Sequence, residues 1–310
     1  MKRQGRMYIY RLLACVALGV AGCVSQPPAS GPSTAGNPSP AADNIEGQRV
    51  ARHLAARYAN LDTSCRNNPT DPAFLCSGVM LRGTAYSPEY HSWVPNPNSP
   101  LMGGVSFSFL RADSKFRSLA YSYTHGFIVY PLFDNPSSVV DLEILCGFPM
   151  DANSENRVAF GCGANRLNPE TSKPCQAQGI TTSAQWLERY RAPGAGDSTQ
   201  RQCGFTLETG TANSAAIFMQ LIDSMALLGE ESMGTQNELI VLSWGATPNK
   251  VGVEAFFYRG GTDGLADSQK EQKDFYETVH VWRPLIRMTL PQTPADQATF
   301  TYVPSEQAVF

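Results

Sequence analysis

Apolar and polar residues alternate with a period of two over GGVSFSFL. Val105, Phe107 and Phe109 fall on one face, Ser106 and Ser108 on the other, which is the pattern of a half-buried strand. THGFIVYPLF and VVDLEILCGFP are apolar runs bounded by turn residues, and SGVMLRGTAYS alternates weakly. Together they predict four strands between Gly78 and Pro149, joined by loops of Asn, Pro and Ser. Ahead of them, Val50, Leu54, Ala55, Tyr58 and Leu61 recur at helical spacing and predict a helix over Gly47–Leu61. The second half is mixed. SAQWLERYRA and the nearly apolar TANSAAIFMQLIDSMALL read as helices, the latter well buried. NELIVLSWG and KVGVEAFFYRGG read as strands. SQKEQKDFYETVHVWRPLIRMTL starts as a polar helix and ends as a strand. The stretch 165–201, rich in Pro, Gly and polar residues, reads as a loop or lobe boundary.

The ends of the chain change this picture. MKRQGRMYIYR is basic, and LLACVALGVAGC is a short apolar run with small residues at its end. Together they read as an export signal, too short and wrongly flanked for a spanning helix. Val20-Ala21-Gly22-Cys23 matches the bacterial lipobox, so cleavage before Cys23 and lipid on its thiol are expected. Val24 follows, not Asp. The resemblance to bacterial lipoproteins then implies sorting to the outer membrane of a Gram-negative cell, or release. From Val24 to Ala42 the chain is Pro, Ser, Ala and Gly without charge. Such a segment buries too little surface to fold and serves as a tether. The rest is long enough for one large domain or two modest ones. The net charge is -3, and no Lys/Arg cluster follows the signal, so nucleic acid is not an expected partner.

Of the 8 Cys, Cys15 leaves with the signal and Cys23 carries lipid. Six remain: Cys65, Cys76, Cys146, Cys162, Cys175 and Cys203. An even number in an exported chain predicts disulfides. Pairing of sequence neighbours, Cys65–Cys76, Cys146–Cys162 and Cys175–Cys203, is one connectivity among several. Zinc is the alternative, but there is no CxxC and no His spaced with the Cys, so no metal is expected.

Asp141 and Glu143 stand two apart in the predicted strand, hence on one face, where like charges repel and burial raises the cost. Such a pair needs a cation and a cleft. Arg82, in VMLRGT, follows an apolar run and so projects from a strand; its planar fork suits a phosphate or an acid. Ser106 and Ser108 form a short polar row on the next strand. An Arg strand, a Ser-x-Ser strand and an acid-x-Glu strand then follow in that order.

In that order the chain resembles the Arg–Ser–Glu class of mono-ADP-ribosyltransferase toxins, the cholera-toxin-like branch. LRGT looks like its strand-borne Arg. Ser106-Phe107-Ser108 looks like its Ser-Thr-Ser strand, with Phe in place of Thr. Asp141-Leu142-Glu143 looks like its Glu-x-Glu turn. AFLCSGVMLRGT, GGVSFSFLRADSKF and YTHGFIVYPLF are also similar to halovibrin-like secreted proteins, a group associated with NAD glycohydrolase or ADP-ribosyltransferase activity. The resemblance implies NAD as substrate, lying between sheets without a Gly-rich dinucleotide loop. It gives Arg82 the pyrophosphate, Ser106 the strands and the nicotinamide ribose, and Glu143 the ribose hydroxyl and the oxocarbenium ion. Asp141 becomes the base for the acceptor, water or a protein side chain. Asp is one methylene shorter than the acid or amide usual there, which favours water. His91, beside Tyr90 and Trp93, is a candidate for stacking in the cleft. His125 reads as a capping or packing residue. Glu254, a lone acid in a late strand, is the reserve catalytic Glu. Trp244 and His280 read as core.

The expectation is therefore an α+β fold, disulfide-containing. It comprises a signal (1–22), a lipidated Cys and tether (23–42), an ADP-ribosyltransferase-like β core (43–165) and a C-terminal helix-and-strand region (166–310) that either joins that core or stands apart. The expected partners are NAD, an acceptor, and a membrane through the lipid anchor. A non-enzymatic surface lipoprotein that binds ligands, and an envelope structural protein, are the rival readings.

Overall fold

The computed structural model describes residues 40–94, 105–131, 142–152, 174–193, 202–207, 210–243, 252–260 and 264–310, with 40–42, 142, 143, 242 and 243 by backbone alone. Residues Asn37–Phe310 form one compact unit. The fold is mixed α+β.

Among the described residues there are nine strands: β1 (Val79–Thr84), β2 (Val105–Leu110), β3 (His125–Val129), β4 (Leu142–Phe148), β5 (Phe205–Thr206), β6 (Glu238–Ser243), β7 (Val253–Arg259), β8 (Leu285–Thr289) and β9 (Thr299–Tyr302). They form one sheet in the order β5-β4-β6-β2-β1-β3-β7-β8-β9. Strands from 166–310 therefore flank those from 43–165 on both sides. All neighbours are antiparallel except β7 and β8. A parallel pair needs a crossover, and helix α4 (Leu265–Val279) supplies it. The other helices are α1 (Pro40–Ala59), α2 (Ser183–Arg191) and α3 (Ser214–Leu228).

Period-two alternation gives the sheet two apolar faces. Met80, Phe107, Phe109, Phe127, Ile144, Leu239, Val241 and Phe256 share a core with Phe218 and Leu221 of α3 and Phe275 of α4. Val79, Leu81, Leu110, Ile128, Ala255, Phe257, Ile286 and Met288 share a second with Val50, Leu54 and Tyr58 of α1. Each Val, Leu, Ile, Phe or Met among them, once fully buried, contributes about 1.5–3 kcal/mol relative to exposure. Helix α1 begins at Pro40, earlier than the apolar spacing predicts, so the last three residues expected in the tether, Pro40, Ala41 and Ala42, are helical. It ends at Ala59 rather than Leu61, which is exposed.

Cys65–Cys76 and Cys175–Cys203 are disulfides, with S–S distances of 2.06 and 1.96 Å. Cys146 is also disulfide-bonded, while the partner expected for it, Cys162, lies outside the described residues, as do Cys23 and the signal and tether through Ser39. Thr182 caps α2 reciprocally with Gln185. That sets Trp186 on the second bridge, where its indole N–H donates to the Cys203 carbonyl at 3.1 Å.

The sheet forks. β1 and β2 pair only through Val79↔Leu110, Met80↔Phe109 and Leu81↔Ser108. Beyond that point β1 continues against β3, as Arg82↔Phe127, Gly83↔Gly126 and Thr84↔His125. The start of β2 pairs with β6 instead, as Val105↔Val241, Ser106↔Ile240 and Phe107↔Leu239.

Candidate functional site

A cavity of about 360 Å³ occupies the fork. One arm lends it Arg82, Gly83 and Thr84. The other lends Ser106 and Ser108 from β2 and Glu238 from β6. The segment after β1 adds Tyr90 and Ser92, the segment between β2 and β3 adds Tyr121 and Tyr123, and Asp151 closes one side. The size lies within the range of small-molecule sites.

Arg82 enters beside the aromatic core. Its Cζ lies 6.0 Å from the centroid of the Phe107 ring, which itself meets Phe127 edge-on at 5.9 Å. Arg82 depends on a glycine across the ladder: a Cβ on Gly126 would collide with the carbonyl oxygen of Arg82. Ser106 and Ser108 alternate with Phe107 along β2. Ser108 is buried, and its Oγ has no hydrogen-bond partner. An orphan hydroxyl in a cavity wall is costly unless something fills the cavity and pairs with it. Glu238 is buried too, and one of its oxygens accepts from the Ala152 N–H at 3.1 Å.

Tyr121 is 81% exposed. Its φ of 52° and that of Ser122, 56°, lie in the left-handed region that few residues other than Gly occupy. The turn holds an unburied ring at the cavity mouth, 5.7 Å from that of Tyr123. Paired rings at a cavity mouth offer a stacking surface for a flat ligand.

Behind one wall lies Glu271 of α4, 4% exposed. Its Oε1 accepts from the hydroxyls of Thr84 at 3.0 Å and Ser92 at 2.9 Å. Its Oε2 is buried without a partner. Burial pushes the carboxyl up to about 7; the two hydroxyls oppose the rise, while Asp267 and Asp274 add to it.

Arg82, Ser106 and Ser108 thus line one cavity, Arg82 from the Phe107 face of the parted strands and the two serines from the opposite face. His91 is not part of that lining. Its ring stacks on Trp93 at 4.8 Å, and it faces a neighbouring crevice with Glu271 and Asp274. The cause is Trp93, which is buried edge-on against Phe275 and draws His91 with it. Tyr90 and Ser92, either side of His91, reach the cavity instead. Glu143 sits on β4 with its backbone opposite Leu242, one residue along from the Ile144↔Val241 pair. Its side chain, and all of Asp141, lie outside the described residues, as does Trp244.

Glu254 is not a lone acid. It is fully buried under α1, 2.8 Å from Arg57 and 3.0 Å from His53. These partners stand some two hundred positions away in the chain, beyond the reach of any local pattern. His125 is buried with neither ring nitrogen hydrogen-bonded, and burial pushes its pKa down, consistent with a packing role. His280 is exposed and terminates α4 in a left-handed conformation rather than joining the core. Among the described residues, no group of three or more His, Cys, Asp or Glu is placed to hold a metal ion.

The residues that sequence reading misses are Glu238, Asp151, Tyr121, Tyr123 and Glu271. YSY, an aromatic pair in the segment between β2 and β3, was the available signal. Comparison with protein-family models and with curated proteins finds no match to this chain.

Proposed function

We propose that the forked sheet is an ADP-ribosyltransferase-like core and that its cavity binds NAD and cleaves the bond between nicotinamide and ribose. One observation carries the reading: Arg82 and the Ser106/Ser108 pair, read from sequence as parts of one site, line the same cavity from two strands that have parted. The parting matters because a continuous ladder would leave no room for a ligand between the strands.

In this reading the Arg82 fork takes the pyrophosphate. Ser106 holds the nicotinamide ribose, and the unpaired Ser108 hydroxyl finds its partner on the ligand. The tyrosines at the mouth stack on a ring. Glu143 stabilises the oxocarbenium charge that grows as the C–N bond breaks and nicotinamide departs with the bonding electrons. Water then adds to the ribose carbon and gives its proton to Asp141. With a protein acceptor, a side-chain nucleophile replaces water. The same proposal puts the protein at the outer membrane through lipid on Cys23, or outside the cell.

The test is incubation of the mature, oxidised protein with an etheno analogue of NAD. Fluorescence that rises with the wild-type protein, and not with folded Glu143→Gln, supports the reading. A rise unchanged in Glu143→Gln removes that residue from the mechanism. No rise with water or any added acceptor favours a binding module.

A further inference from the structure

The wall formed by Thr84 and Ser92 has a defined hydrogen-bond polarity. A hydroxyl has one hydrogen to donate and two lone pairs to accept. Both hydrogens are spent on a single oxygen, Oε1 of Glu271. Thr84 and Ser92 also line the cavity. They can therefore offer a ligand lone pairs only. With Glu271 ionised, the form present above about pH 7, both of its oxygens accept and neither donates, so the two hydroxyl hydrogens stay turned toward Oε1. Helix α4 holds the carboxyl in place. Phe275, one turn on, packs edge-on against both Trp93 and Phe256, and the Gln272 amide donates to the Arg283 carbonyl at 2.7 Å.

We infer that Glu271 is a positioning residue that turns the Thr84 and Ser92 hydroxyls into an acceptor pair selecting a carboxamide over a carboxylate on the ligand ring. This rests on the dinucleotide reading above. A carboxamide presents N–H donors to the pair. A carboxylate presents only acceptors, so oxygen faces oxygen and each loses the hydrogen bonds it had in water. Arg82 does not restore the balance, because in both ligands its fork is engaged by the phosphates.

The experiment titrates NAD, and its analogue with nicotinic acid in place of nicotinamide, into full-length mature protein by calorimetry at a pH well above 7, where Glu271 is ionised. Glu143→Gln is present throughout to prevent turnover. The amide is expected to bind about tenfold or more tightly than the acid. Glu271→Gln, whose amide oxygen accepts as the acid's does, keeps the ratio. Glu271→Leu frees both hydroxyls to donate and brings the ratio toward one. The double variant Thr84→Val, Ser92→Ala removes the pair and does the same, and so reads the inference even if Glu271→Leu fails to fold. Equal affinity of the two ligands for otherwise native protein overturns the inference and leaves the dinucleotide reading standing. Binding of neither ligand overturns both. A purely structural Glu271 would lower stability in Glu271→Leu and leave the ratio unchanged, which also overturns it.

Discussion

Arg82 and Ser106 stand on neighbouring strands of one sheet, at positions where those strands no longer pair, and both line the space between them. If that space is the ligand site, the guanidinium is worth more than its charge. Arg82→Ala should weaken dinucleotide binding by about 2–5 kcal/mol, roughly thirtyfold or more. Arg82→Lys should recover little, since a point charge does not replace a planar fork. Calorimetry on both variants measures this, and a fully active Lys variant would count against the pyrophosphate role.

Gly126 should tolerate no side chain. Its missing Cβ makes room for the Arg82 carbonyl, so Gly126→Ala must push β1 and β3 apart. The expected cost is about 1–3 kcal/mol, read as a drop in melting temperature. Ligand affinity should fall along with it because Arg82 moves. A variant as stable and as active as wild type would contradict the register Gly83↔Gly126.

Glu271 ties stability to pH. Its carboxyl titrates at about 7 in the folded protein against an ordinary 4.5. The folded state therefore favours the proton. Its contribution is fully present below the ordinary value and is lost as pH rises through the folded one. About 3 kcal/mol should disappear between those limits. Glu271→Gln should flatten that part of the stability curve, measured by denaturant unfolding at several pH values. An unchanged slope would mean the acid is ionised in the fold.

Glu254 should matter for folding and not for catalysis. Glu254→Gln removes the carboxylate that faces the buried Arg57. A loss of about 3 kcal/mol is expected from breaking such a pair, while turnover by the folded fraction stays at the wild-type level. A catalytic defect at full stability would return Glu254 to the list of candidate acids.

The disulfides should differ in weight. Cys175–Cys203 spans 28 positions and Cys65–Cys76 spans 11. Closing the longer loop removes more freedom from the unfolded chain, about 3.6 against about 2.8 kcal/mol. Paired Cys→Ala variants, compared by urea unfolding, check the order.

What could be read in advance follows from how far each signal reaches along the chain. The cysteine count pointed to disulfides but left their pairing open, and the structure pairs Cys65 with Cys76 and Cys175 with Cys203. The strand at Val105–Leu110 was plain because its alternation is local, and so was the buried helix at Ser214–Leu228. The fork was not, because nothing in VMLRGT or VSFSFL says where two strands stop pairing. Glu271 lies in SQKEQKDF, which reads as a solvated helix. Its burial comes from the crossover that packs α4 on the sheet, and it becomes tolerable only because Thr84 and Ser92 arrive from far earlier in the chain. His91 was drawn away from the cavity by a neighbour, Trp93, whose own burial is decided by Phe275.

The most direct measurement is calorimetric titration of NAD into the mature Glu143→Gln protein with its disulfides intact. Saturable binding at one site per chain, lost in the Arg82→Ala background, is the predicted result. No heat of binding from a folded protein, or affinity indifferent to Arg82, would contradict the account.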